Sequence, residues 1–336
     1  MKNIVLKIFN YLIFLSISIG LLYAAFRGIN FEELWTDIKS ANYSWVLFSL
    51  FFALLGYVSR ALRWYILIEP LGHKPKKTSV FYAMAIGYFA NMAIPRIGEI
   101  TRCETLRRTE KIPFDALLGT VIVERASDLL MLILLMIFVI IFKVELFGKF
   151  IFETILDPFF NYISTVFDNL FFFWLILFSL STVSLFLIYF YRNKLREYEL
   201  IKKIFEIVKG VMTGAKSVFH MRKRRWFIFH TLFIWLMYIL MTYVVFFAIE
   251  PTSVLNFVDS IFMLIFGGIG MTIPTPGGIG SYHELVKVGL SLFEINEVDS
   301  AVYSIITHES QAFLVIILGS FSILMLFVNR RKKSLK

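Results

Sequence analysis

The chain has 336 residues, of which 58% are hydrophobic and 17% charged, with a formal net charge of +10. Soluble domains carry about 25% charged residues, so this composition excludes a soluble globular fold and indicates a polytopic membrane protein. Cys103 is the one cysteine, which excludes an intrachain disulfide and a cysteine-rich metal site.

A membrane-spanning helix needs about 20 apolar residues. In chain order, Val5 to Phe26, Tyr43 to Ile68, Pro113 to Phe142, Leu170 to Tyr191, Trp226 to Ile249 and Ala301 to Val328 meet that requirement. Six full spans are therefore expected. The first lacks a small-residue cleavage site and is read as a span, not a removed signal.

Orientation follows the basic residues. Arg192 to Arg225 holds 11 of them, Lys74, Lys76 and Lys77 follow the second span, and the tail carries Arg330, Arg331, Lys332, Lys333 and Lys336. The loops Arg27 to Asn42, Lys143 to Asn169 and Glu294 to Asp299 are net acidic. Both termini and the basic loops are thus expected in the cytoplasm, where they would meet anionic lipid; the charge does not signal nucleic acid.

Two apolar stretches do not fit simple spans. Thr78 to Ile94 lies between basic segments that both belong inside, and it leads into Asn91, Pro95, Arg96 and Gly98. Ser260 to Tyr282 is uncharged, but Phe266 to Gly280 within it contains six glycines and two prolines, including Pro274, Pro276, Gly277, Gly278 and Gly280. Such a sequence forbids a regular helix, and broken backbone at membrane depth survives only against protein or a water-filled cavity. Each stretch reads as a re-entrant hairpin, the first opening inward and the second outward. The other reading is an ordinary pair of spans, with Gly98 to Ile112 or Ser281 to Phe293 as the second leg. Those legs are short, and the first is highly charged.

The order span, hairpin, acid-bearing span occurs twice, at 43–142 and 226–328, on either side of a basic cytoplasmic loop at 192–225. With opposite starting sides, this is the pattern of an inverted-topology repeat within one transmembrane domain, 1–336, whose substrate site lies near the midplane.

Ionisable groups at that depth mark function by default. Glu124 lies 11 residues past Pro113, about 16 Å along a helix, and Glu309 sits at a comparable depth in the last span. Glu124 and Asp128 share a helical face with Arg125 beside them, either as a cavity wall or as a self-neutralising ion pair. Arg96, Glu99 and Arg102 are spaced by three, so a helical leg would present them together, and arginine's fork suits phosphate. Arg60 and Arg63, also three apart, could hold phosphate in the same way, but the favoured reading is that they snorkel to the inner interface; Arg107, Arg108 and Lys111 are expected to be interfacial charges. His308 beside Glu309 is a candidate proton-coupling group, and Glu284 a candidate gate or helix cap. With His220, His230 and His283 on other segments, a zinc site at His308 and Glu309 is possible but has no supporting ligand spacing; no cofactor is implied and no catalytic motif is present, so an enzyme is not expected.

The ordered set Asn91-x-x-x-Pro95-Arg96-x-Gly98-Glu99-x-x-Arg102, Glu124-Arg125-x-x-Asp128 and Pro274-x-Pro276-Gly277-Gly278-Ile279-Gly280-x-x-x-Glu284, with Arg63-Trp64 before it, resembles the lysylphosphatidylglycerol synthase transmembrane family, also called flippase-like. The resemblance covers nearly the whole chain. It implies an all-α fold in a bacterial inner membrane and movement of a phospholipid or lipid-linked intermediate between leaflets. The bifunctional members also carry an aminoacyl-transfer domain, which this sequence lacks, so synthesis of an aminoacylated lipid is not implied. Two alternatives are a membrane enzyme acting on a polyprenyl-phosphate lipid and an accessory protein of envelope assembly; a homodimer is one option for assembly.

Overall fold

A computed structural model describes residues 2–145, 156–166 and 222–334, with scattered positions between 148 and 186. Most of the expected span at 170–191 and nearly all of the basic loop at 192–225 lie outside the described residues. Those described are helical and include no strand. The helices are α1 (Lys2–Phe26), α2 (Phe31–Ser40), α3 (Tyr43–Ile68), α4 (Lys77–Ala93), α5 (Gly98–Glu110), α6 (Phe114–Phe142), α7 (Asp157–Val166), α8 (Arg224–Val245), α9 (Phe257–Thr272), α10 (Ser281–Ser291) and α11 (Glu297–Ser334).

Local chemistry sets several boundaries. Asn30, Asn42 and Asn256 each precede a helix and accept a hydrogen bond from a backbone N–H in its first turn, the usual role of an N-cap side chain. Pro113 stands just before α6, and Lys111 ends α5 in the left-handed region at φ 59°.

Helices α3, α6, α8 and α11 are long and apolar enough to cross a membrane, and α1 with α2 forms a fifth candidate bent by 86° between Phe26 and Phe31. Their outward faces are greasy: Ile133, Leu134, Ile137 and Ile140 of α6 are exposed, as lipid-facing side chains would be. The paired helices are shorter. α4 and α5 have 17 and 13 residues, and α9 and α10 have 16 and 11. At 1.5 Å per residue none exceeds about 26 Å, against a hydrocarbon thickness of about 30 Å. Within each pair the two helices pack against each other as a helical hairpin.

Two core clusters surround the hairpins, and the second also takes in Val46 of α3 and Val139 of α6. Trp64, Ile68, Met84, Leu106 and Leu117 pack around the first hairpin, and Phe246, Phe262, Phe266, Leu290 and Tyr303 around the second. At one end Lys223 before α8 pairs with Glu69 after α3 at 2.7 Å, and at the other Lys143 after α6 pairs with Asp259 of α9 at 2.7 Å. These pairs hold matching helix ends level. The hairpin tips meet between the halves: the Arg96 Nη2 donates to the Thr272 carbonyl at 3.0 Å. α1 crosses the second break, where the Ser18 hydroxyl donates to the Ile279 carbonyl at 2.7 Å.

Candidate functional site

Glu124 is wholly buried in α6. Three arginines from two other helices converge on it: Arg60 at 2.9 Å and Arg63 at 3.5 Å from α3, and Arg102 at 2.9 Å from α5. Asp128, one turn on, pairs with Arg60 at 2.9 Å and Arg63 at 2.7 Å. Three cations thus face two carboxylates, which leaves a surplus of one positive charge. The guanidinium of Arg102 lies 4.6 Å from the Trp64 ring centroid, and Trp64 in turn donates to the Thr120 hydroxyl at 2.8 Å. Arg60 also donates to the Tyr238 hydroxyl at 2.8 Å. Even so, Arg102 Nη2, Arg60 Nε and Arg63 Nε are buried without a hydrogen-bond partner.

These contacts correct two expectations and remove one alternative reading. Arg60 and Arg63 do not snorkel to the interface: they are buried at 7% and 0% exposure on Glu124 and Asp128. A fork that can reach a carboxylate at that depth gains charged hydrogen bonds that an interfacial pose lacks. Arg125 is not the local neutraliser of Glu124 and Asp128. Consecutive helical residues point about 100° apart, so Arg125 faces away and pairs with Glu99 of α5. Arg96, Glu99 and Arg102 are not presented together either. α5 starts at Gly98, and Arg96 stands outside it in the turn, with φ 64°. Arg107 and Arg108, on the exposed face of α5, are paired as well: their hydrogen bonds hold the Glu104 carboxyl down to about 2.

The first break is held by Asn91, whose Oδ1 accepts from the Gly98 N–H at 2.6 Å, with Pro95 in the turn between them. Gly98 also lies so close to the Gly87 carbonyl that a Cβ there would overlap it. The second break runs through Pro274 and a short 3-10 turn, Pro276–Gly278, and Gly277, Gly278 and Gly280 all have positive φ.

Beside this second break lies a separate group. His308 Nδ1 is 2.9 Å from Glu309 Oε1, and His308 Nε2 is 2.9 Å from the Gly277 carbonyl oxygen. His283 Nε2 is 3.6 Å from the same Glu309 oxygen, and His283 Nδ1 accepts from the Gly280 N–H at 3.3 Å. Donor atoms of His283, His308 and Glu309 lie within 4.8 Å of one another. Sequence reading named His283 only as a possible zinc partner of His308 and Glu309, without supporting spacing, and not as a residue of the translocation site. Its signal is positional: it is the third residue of α10 after Gly280, where a side chain can reach back to cap. Glu284 lies one residue on, with Oε2 buried and without a hydrogen-bond partner.

The candidates therefore form two groups instead of one pocket: a closed arginine–carboxylate cluster at the first hairpin and a histidine–glutamate cluster at the second. A narrow apolar crevice lined by Tyr57, Phe81, Met84, Tyr88, Val315 and Leu318 borders the first. Two of its residues touch the arginines: Met84 Sδ accepts from Arg102 at 3.0 Å, and the Tyr88 ring centroid lies 5.7 Å from Arg60.

The lysylphosphatidylglycerol synthase TM region family matches residues 11–319. A UPF0104 membrane protein of Methanocaldococcus jannaschii is 24% identical, with 96% of each chain covered. No solved structure matches the chain. With its helical, multi-pass architecture and a family match over nearly its whole length, the chain belongs to the lysylphosphatidylglycerol synthase transmembrane-region family.

Proposed function

We propose that the protein is a lipid translocase, which passes the phosphate-bearing head of a phospholipid or lipid-linked intermediate between leaflets. The observation that carries this reading is the surplus of one positive charge in the buried cluster of Arg60, Arg63, Arg102, Glu124 and Asp128, with guanidinium N–H groups left unpaired. Leaving buried cations without partners costs several kcal/mol per ion in real proteins. A phosphodiester carries one negative charge and oxygen acceptors that fit a guanidinium fork. Its tails would stay in lipid while the head crosses on the arginines. Glu124 and Asp128 then act as place-holders, neutralising the arginines when no head is bound.

The reading includes no covalent step, and exchange is passive or ion-coupled. The inner membrane with cytoplasmic termini is the proposed setting in a bacterial host, and anionic lipid at the basic loop 192–225 the proposed surface contact. The test is mass spectrometry of lipids retained after mild detergent extraction. Phosphate-bearing lipid should remain with the wild type and be depleted in Arg102→Met, whose folding is checked by size exclusion. Retention that is the same in both, or confined to uncharged lipid, contradicts the assignment.

A further inference from the structure

The His308–Glu309 pair has a hydrogen-bonding imbalance that no neutral imidazole resolves. A neutral ring has one N–H and one acceptor nitrogen. Both nitrogens of His308 face oxygens at 2.9 Å: Nδ1 faces Glu309 Oε1, and Nε2 faces the Gly277 carbonyl. A carbonyl and an ionised carboxylate are both acceptors, so with Glu309 ionised and His308 neutral, one contact sets a lone pair against a lone pair. One added proton removes the conflict, whether it completes the imidazolium or sits on Glu309.

A divalent metal would also fill the gap between His308 Nδ1 and Glu309, but the third side chain argues against it. His283 Nδ1 accepts from the Gly280 N–H, which puts the hydrogen on Nε2, the atom facing Glu309. That leaves two protein ligands, fewer than the three or four of a zinc site. Among the described residues, the other titratable group facing the pair is Tyr282 of α10, whose ring centroid is 5.1 Å from that of His308. From the first hairpin the charged group at the tips is Arg96, already bound to the Thr272 carbonyl. The Glu309 side chain is 53% exposed, so protons can reach it, and exposure of a carboxylate at this depth implies water beside it.

We infer that His308 and Glu309 form a proton-binding site, and that its proton latches the second hairpin break to α11 through the Gly277 carbonyl. After loss of the proton the one remaining N–H stays on the ionised carboxylate, the stronger acceptor, which breaks the bond to Gly277 and frees the turn Pro276–Gly278, so the ligand of this site is the coupling ion. In that role the inference rests on the translocase reading, although the site itself does not.

Two measurements on the full-length protein in liposomes test it without any transport. Nitrogen-15 NMR of labelled histidine, with His308 assigned by His308→Gln, should show both ring nitrogens protonated. If instead the ring is neutral, infrared spectroscopy should show a protonated carboxyl that vanishes in Glu309→Gln. A neutral ring beside an ionised carboxylate at about pH 6, the acid side of the ordinary histidine range, or bound metal released by a chelator, overturns the proton site. Hydrogen exchange of residues 273–280 reads the latch. Glutamine at 309 can donate to His308 Nδ1 and keep the Nε2–H on Gly277 at every pH, so Glu309→Gln is the locked reference. The wild type should match it at about pH 6 and exchange roughly fivefold faster at about pH 9, the loss of one hydrogen bond of about 1 kcal/mol. Wild-type exchange equal to that of Glu309→Gln at both pH values removes the latch. A positive result here with no lipid exchange by the same protein keeps the proton site and removes the translocase.

Discussion

Arg102 reaches Glu124 from the return leg of the first hairpin, Nη1 to Oε2 at 2.9 Å, with its guanidinium 4.6 Å from the Trp64 ring centroid. One side chain thus ties α5 to both α6 and α3, and places a fork of N–H groups beside the crevice at Met84. Lysine would keep the charge but neither the fork nor the planar stack. Arg102→Lys is expected to lower thermal stability by about 1–2 kcal/mol, through the lost cation–π and charged hydrogen-bond contributions. Phosphate-lipid retention should fall nearly as far as in Arg102→Met. Full retention in the lysine variant would mean that point charge alone, without the fork, suffices.

Removing one partner of a buried ion pair strands the rest, at about 3–5 kcal/mol. Glu124 is wholly buried and contacts three arginines, whereas the Asp128 side chain is 15% exposed and contacts two. Glu124→Gln should therefore destabilise more than Asp128→Asn in thermal unfolding. Because the glutamine variant raises the positive surplus, added anionic phospholipid should recover part of its loss, and uncharged lipid should not. The opposite order of the two variants, or equal recovery by both lipids, counts against the charge accounting.

The Glu99–Arg125 pair is a different case. Its side chains are 25% and 47% exposed, and such pairs contribute up to about 1 kcal/mol. Either single reversal, Glu99→Arg or Arg125→Glu, should lower the unfolding temperature slightly, and the double reversal should restore it. A double variant no better than the singles would show that the pair does not hold α5 to α6.

Gly280 has φ 84°, and a Cβ there would meet the Ser18 carbonyl oxygen at 2.5 Å and the Leu22 nitrogen at 2.8 Å, both backbone atoms. Gly280→Ala adds left-handed strain and pushes α1 off the second break, an expected loss of about 1–3 kcal/mol. Gly20, with open space around its Cβ position, is the control: Gly20→Ala should be neutral or stabilising. Equal unfolding temperatures for the two alanine variants would contradict this packing of α1.

Much of the architecture was legible in residue patterns. Proline and glycine mark both breaks, and the apolar runs 43–68, 113–142, 226–249 and 301–328 fall on α3, α6, α8 and α11. What pattern cannot decide is which way a long side chain turns. Arg60 and Arg63 sit near the end of an apolar run, where snorkelling and an inward turn have the same sequence signature; the packing of α3 against α6 selects the inward turn. Arg96 keeps the three-residue spacing of a helix face but falls in the break, so spacing misled. His283 was visible only as one of several histidines without ligand spacing, because no pattern shows that the start of α10 brings it to Glu309 and Gly280.

The central claim is that the buried arginine cluster carries a lipid phosphate across the membrane. Its most direct test is leaflet exchange of a labelled phosphodiester lipid in liposomes holding wild type, Arg102→Met or no protein. The account predicts exchange by the wild type well above the protein-free rate, and a drop of about tenfold or more in Arg102→Met, the loss of one charged hydrogen bond. A wild-type rate equal to that of empty liposomes would contradict it.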